Sequence, residues 1–96
     1  MSMVKPPKTI DSATVLEWAW SGELPFGLLT YTSGETAAEI YGFAICSYPE
    51  ATNVYRFSCN KNWEAEQDSP YESVEAAKDN IPSQYNNALV NWVKCK

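Results

Sequence analysis

The stretch Glu39-Ile40-Tyr41-Gly42-Phe43-Ala44-Ile45-Cys46-Ser47-Tyr48 decides how the chain is read. Aromatic and branched residues dominate it, which favours extended backbone. Alternation puts Ile40, Gly42, Ala44, Cys46 and Tyr48 on one face of a strand and Tyr41, Phe43 and Ile45 on the other. Both faces are apolar, as in a strand covered by a layer on each side or lying in an interface. The strand is expected to run from Ala37 to Tyr48, at the centre of a sheet.

Working outward, Pro49-Glu50-Ala51-Thr52-Asn53 has the length of a hairpin loop, and Val54 to Cys59 returns antiparallel. On the other side, Thr32-Ser33-Gly34-Glu35 is a turn signal. Ahead of it, Thr14, Leu16, Trp18 and Trp20 alternate with Val15, Glu17 and Ala19, and Phe26 to Tyr31 resumes in extended form after Ser21-Gly22-Glu23-Leu24-Pro25. One long bent strand with a bulge is favoured here over two separate strands. Residues 1–12, with Pro6-Pro7 and flanking lysines, read as a flexible N-terminal tail, and 13–96 as a single globular domain.

In the second half, Ser69-Pro70-Tyr71-Glu72 matches a capping box, and Ser73 is an alternative cap that would start the helix at Val74. Val74, Ala77 and Ile81 line its apolar face, and Pro82 stops it. The last segment, Ala88 to Val93, alternates as an edge strand would, although Tyr85, Leu89, Trp92 and Val93 also fit a helical stripe. The expected fold is α+β: an antiparallel β-meander sheet of three to five strands with one helix, from the C-terminal half, packed on one face. One short helix cannot cover strands that carry Trp18, Trp20, Tyr31, Tyr41, Phe43, Tyr55 and Phe57. The sheet must therefore curl onto itself or leave aromatic surface for a partner, a second copy included.

The chain has 96 residues, enough for a domain that buries about 60–70% of its unfolded surface without a disulfide or metal. With 45% apolar residues, disorder is not expected. Histidine is absent, so His-based nucleophile pairs, general bases and zinc sites cannot be assembled from this chain. Its three cysteines, Cys46, Cys59 and Cys95, lack C-x-x-C spacing and are read as reduced. No apolar run approaches a membrane span or a secretory leader, and the expected location is cytoplasmic. Paired carboxylates of the glycosidase kind need a cleft that a chain this short seldom makes. The expectation is accordingly a non-enzyme with no cofactor and no metal.

Charge narrows the partner. The formal net charge is −5, and between Thr9 and Tyr55 six carboxylates occur with no Lys or Arg. Such a surface repels phosphate backbones and anionic membranes and favours basic proteins. Glu64, Glu66 and Asp68 alternate beside Trp63, so an extended backbone would project three carboxylates from one side of an aromatic anchor. Glu17, Trp18 and Glu23 form a second group of the same composition. A row of carboxylates also suits a hard cation or a solvated edge that resists aggregation.

In size, charge and composition the chain resembles the small acidic proteins that block a toxin or a nucleic-acid-handling enzyme, such as bacterial immunity proteins and phage-encoded inhibitors. No motif is shared, so the resemblance carries no residue role with it. The expected function is a non-catalytic interaction protein that masks a basic site on a partner protein. A homodimeric structural domain and a small-molecule or divalent-metal-binding module are the alternatives.

Overall fold

The computed structural model describes residues 5–30, 33–34, 36–82, 85 and 90–95. The elements are β1 (Thr9–Ile10), β2 (Ala13–Trp20), β3 (Gly27–Thr30), β4 (Thr36–Ile40), β5 (Gly42–Ser47), β6 (Val54–Cys59), β7 (Ala65–Tyr71), α1 (Val74–Asp79) and β8 (Val93–Lys94). β5 holds the central place anticipated for it. It pairs antiparallel with β2 on one side and β6 on the other, and the main sheet runs β1-β2-β5-β6-β7. Five of its six residues are buried.

The fold is thus mostly antiparallel sheet with one short helix, but the main sheet has six strands among the described residues, more than the three to five expected. Both chain ends account for the excess, because β1 and β8 each add two residues to the same outer edge of β2. Residues 9–12 are therefore not part of a free tail. Ile10 is buried, and Asp11 and Ser12 both have positive φ (48° and 71°), the signature of a two-residue I′ hairpin turn. The strict meander also fails, since a separate β3–β4 hairpin is inserted between β2 and β5.

That hairpin reconciles the two readings of residues 13–31. β2 and β3 are distinct strands, yet both pair with the continuous run β4-Tyr41-β5. Ser21 N–H donates to Tyr41 O and Phe26 N–H to Ile40 O, which closes the ladder across the interruption. A second correction concerns parity. A bulge at Leu16 shifts the register between Val15 and Glu17, so Ala13 and Val15 share a face with Trp18 rather than opposing it. At the other end of the chain, the last strand is only Val93–Lys94, and Ala88 and Leu89 lie outside the described residues.

Each face of the sheet has its own core. One gathers Ile10, Ala13, Val15, Trp18, Ala44, Cys46, Phe57, Cys59 and Trp63. Here the aromatic side chains close over one another: Trp63 lies edge-on to Trp18 (6.1 Å between centroids, 89°) and tilted on Trp20 (5.5 Å, 36°). On the opposite face, Ala19, Phe26, Ile40, Phe43 and Tyr85 form the second core, with Phe26 stacked on Phe43 at 4.5 Å. Leu24 and Leu28 are the exposed large apolar residues. Between curling and leaving aromatic surface bare, the described sheet curls.

The helix packs on the Phe43 face. Ser73, the second of the two candidate caps, is the N-cap, and its Oγ accepts from Ala76 N–H at 3.1 Å. Ser69, Pro70 and Tyr71 belong instead to β7, where a proline is tolerated because no described strand pairs with its outer side. Arg56, on β6 and 3% exposed, donates through Nη1 to Ala77 O (3.0 Å) and Asn80 O (3.1 Å). Its guanidinium lies 4.9 Å from the Tyr71 ring centroid and 5.9 Å from that of Phe43. Lys78 of α1 reaches Glu17 on β2 at 2.7 Å, so the helix is tied to the sheet at two points.

At Gly42 the Trp63 ring leaves no room for a side chain. A Cβ built there would stand 2.6 Å from the six-membered ring of Trp63. Gly42→Ala is expected to lower unfolding free energy by about 1–3 kcal/mol through overpacking. Urea denaturation checks this, and a variant as stable as the parent would contradict the packing described.

Candidate functional site

The turn joining β6 to β7 is built around Asn60. Its Oδ1 accepts from the backbone N–H groups of Asn62 (2.9 Å) and Glu64 (3.1 Å), an arrangement that Asn favours in turns because its short amide reaches the main chain ahead. The backbone closes too, with Trp63 N–H donating to Asn60 O and Asn60 N–H to Glu64 O. This leaves Trp63 at φ +60°, a left-handed conformation costly for a bulky residue. Burial of its ring against Gly42, Trp18 and Trp20 offsets that strain.

With Oδ1 committed to the turn, Asn60 Nδ2 points outward and donates to Glu64 Oε1 (2.8 Å) and Glu66 Oε2 (2.9 Å). Two exposed carboxylates are thereby held on one amide. They would otherwise repel each other, and the shared donor fixes both in place at the cost of neither charge. Asp68 is exposed further along β7, opposite Phe57, and is not bonded to Asn60. The simple row of three is broken because the register shifts between Ser58 and Cys59, leaving Glu66 as the extra residue between Ala65 and Gln67.

The other anticipated site residues divide by burial. Glu23 is exposed in the loop after β2. Glu17 is 7% exposed and paired with Lys78, while Trp18 and Trp63 are 4% and 6% exposed within the first core. These three offer a partner almost no area; they support the surface rather than form it. What the alternation of charges did not reveal is Asn60, together with Glu39, Lys61 and Asn62, which join Glu66 and Tyr41 around a shallow polar hollow of about 290 Å³. Lys61 Nζ sits 5.5 Å from the Tyr41 ring centroid on its rim. The visible signal was the segment Asn60-Lys61-Asn62 itself, which reads as a strand end but can equally form an Asn-centred turn.

Among the described residues, no group of three or more Cys, Asp or Glu is placed to hold a metal ion. Cys46 and Cys59 share a face, but Cys59 is opposite Gly42, four residues along β5 from Cys46. That offset is about 13 Å at strand spacing, too far for a disulfide. Both are free, as is the exposed Cys95. Burial pushes the Cys46 thiol up to about 12, with smaller contributions from Cys95 and Asp11, and raises Cys59 as well. These thiols are held in the unreactive form. No helix among the described residues is long and apolar enough to cross a membrane.

Comparison of the chain with protein-family models, with curated proteins and with solved structures gives no match. Its own geometry must carry the functional argument.

Two outcomes are expected of this region. Asn60→Ala should cost about 1–3 kcal/mol, since two backbone donors lose their acceptor, and the loss should shrink when Glu64→Gln and Glu66→Gln relieve the carboxylate pair; urea titration of the double-mutant cycle reads both. For the cysteines, a raised folded-state pKa stabilises below the unfolded value of 9.0 and is lost as pH climbs toward about 12. Stability measured under reducing conditions should therefore fall above pH 9, and at pH 8 a thiol reagent should label Cys95 quickly, with Cys46 and Cys59 reacting only on unfolding.

Proposed function

We propose that this chain is a non-catalytic interaction protein that masks a basic site on a partner protein, as immunity proteins and inhibitors do. The observation that carries the reading is the Asn60-held pair Glu64 and Glu66. Preorganised carboxylates lose little entropy on meeting an arginine fork or a lysine, so they favour a cationic ligand more than two freely rotating side chains would. The surrounding charge supports it. Every described carboxylate except Glu17 is exposed, whereas Arg56 is buried and Lys78 is drawn onto Glu17. The resulting field steers a basic surface toward the protein and hastens encounter.

The contact surface in this reading consists of Glu64, Glu66 and Asp68 with Asn60, and Glu39 and Lys61 across the adjoining hollow. Glu23 belongs to a more distant acidic rim. Trp18, Trp63 and Glu17 act from beneath, by fixing the turn and the sheet. A toxin or a nucleic-acid-handling enzyme suits the chemistry, because such proteins carry basic substrate sites that acidic surfaces can occupy. The hollow beside the turn is shallow and open rather than an enclosed cleft, which is why a binding role fits it better than a catalytic one.

The test is capture from native lysate by the immobilised protein at low salt. Partners should be basic and should elute as ionic strength rises. The triple reversal Glu64→Lys/Glu66→Lys/Asp68→Lys should lose at least ten-fold in partner affinity while keeping the parent's circular dichroism. Undiminished affinity in that variant would contradict the assignment of this surface.

A further inference from the structure

Three of the chain's seven cationic side chains gather where the acidic reading gives them no role. Lys5, Lys8 and Lys94 line a hollow of about 570 Å³ together with Pro6, Pro7, Val15, Trp18 and Val93. The chain ends build it. β1 and β8 both pair with the outer edge of β2, β1 through Ala13 and Thr14 and β8 through Glu17 and Trp18, with the Leu16 bulge between them. Val15 N–H donates to Lys8 O (3.0 Å) and Cys95 N–H to Leu16 O (2.9 Å), which pins the two walls to the same strand. Pro6 and Pro7 hold the N-terminal wall extended without needing hydrogen bonds of their own.

The composition of this hollow defines its ligand. Its floor is the apolar edge of the first core, Val15 and Trp18, and its size lies within the range of small-molecule sites. All three lysines are exposed, and none makes an ion pair among the described residues. Lys8 stands opposite Val15, on the Trp18 face, with Lys5 beside it on the N-terminal wall. Lys94 stands opposite Glu17 of β2 and so faces the other side of the sheet. The two like charges on the N-terminal wall repel each other. An anion at the mouth removes that repulsion. An apolar body behind it would cover Pro6, Pro7 and Val93, above the buried Val15 and Trp18.

We propose that this hollow is a binding site for a small amphipathic anion, with the acidic head at Lys5 and Lys8 and the apolar body against Pro6, Pro7 and Val93, above Val15 and Trp18. The site is separate from the Asn60 turn and does not depend on the partner reading. Decanoate is a suitable probe, with decyltrimethylammonium as the matched cation. In two-dimensional amide spectra of the labelled full chain, decanoate should shift the Trp18 indole and Val93 amide signals saturably below about 1 mM, leaving the Glu64 and Glu66 amides in place. The cation should not do so at equal concentration. Lys5→Glu/Lys8→Glu should weaken decanoate binding at least ten-fold; if that variant loses its dispersed spectrum, Lys5→Gln/Lys8→Gln, confined to exposed residues before β1, should still weaken it about three-fold. Absence of shifts at Trp18 and Val93, equal response to the cation, or undiminished binding in the folded variants would overturn the proposal.

Discussion

The burial of Arg56 is the constraint on which the rest of the structure depends. A guanidinium 3% exposed in the middle of a sheet is costly, the more so because its Nε is buried without a hydrogen-bond partner among the described residues. What Nη1 and the plane of the cation find must offset that burial. The C-terminal end of α1 has the opposite need, because its last carbonyls lack helical partners and sit at the negative end of the helix dipole. Arg56 Nη1 supplies Ala77 O and Asn80 O, and the rings of Tyr71 and Phe43 receive the plane of the cation. A helix of six residues has no independent stability. α1 is a helix because it is docked on this arginine, and the arginine is tolerated because the helix ends there.

The same arrangement shapes the exterior. Two cations, Arg56 and Lys78, are used within the fold against one carboxylate, Glu17, so the outer surface is more acidic than the total of −5. The remaining charge is then sorted by place. Lys5, Lys8 and Lys94 collect at the outer edge of β2, and carboxylates hold the β6–β7 turn at the far side of the sheet order. Packing carries this polarity, since Trp63 can occupy its strained backbone only while Gly42 leaves room for its ring.

Much of the fold was legible in the sequence, and what was not has identifiable physical causes. The doubly apolar run Gly42 to Ser47 announced a central strand, and Val54 to Cys59 its antiparallel neighbour, because alternation and burial act locally. Bulges at Leu16 and Glu66 were invisible, for each inserts one residue that only the partner strand's register reveals. They moved Val15 to the Trp18 face and broke the alignment of Glu64, Glu66 and Asp68. The aromatic anchors were misjudged for a related reason: composition shows that Trp63 stands beside carboxylates, whereas its burial depends on a glycine twenty-one residues earlier. Arg56 gave no signal at all, since nothing local distinguishes a cation that caps a distant helix from one that is solvated.

The most direct test of this account is amide hydrogen exchange in Arg56→Lys and Arg56→Met. Lysine keeps the charge but not the planar fork, and methionine removes the charge at similar volume. Both should release α1 selectively: the Ala77 amide, which bonds Ser73 O, should lose its protection while the β5 and β6 amides keep most of theirs. If Ala77 stayed as protected in both variants as in the parent, Arg56 would not be what holds the helix to the sheet.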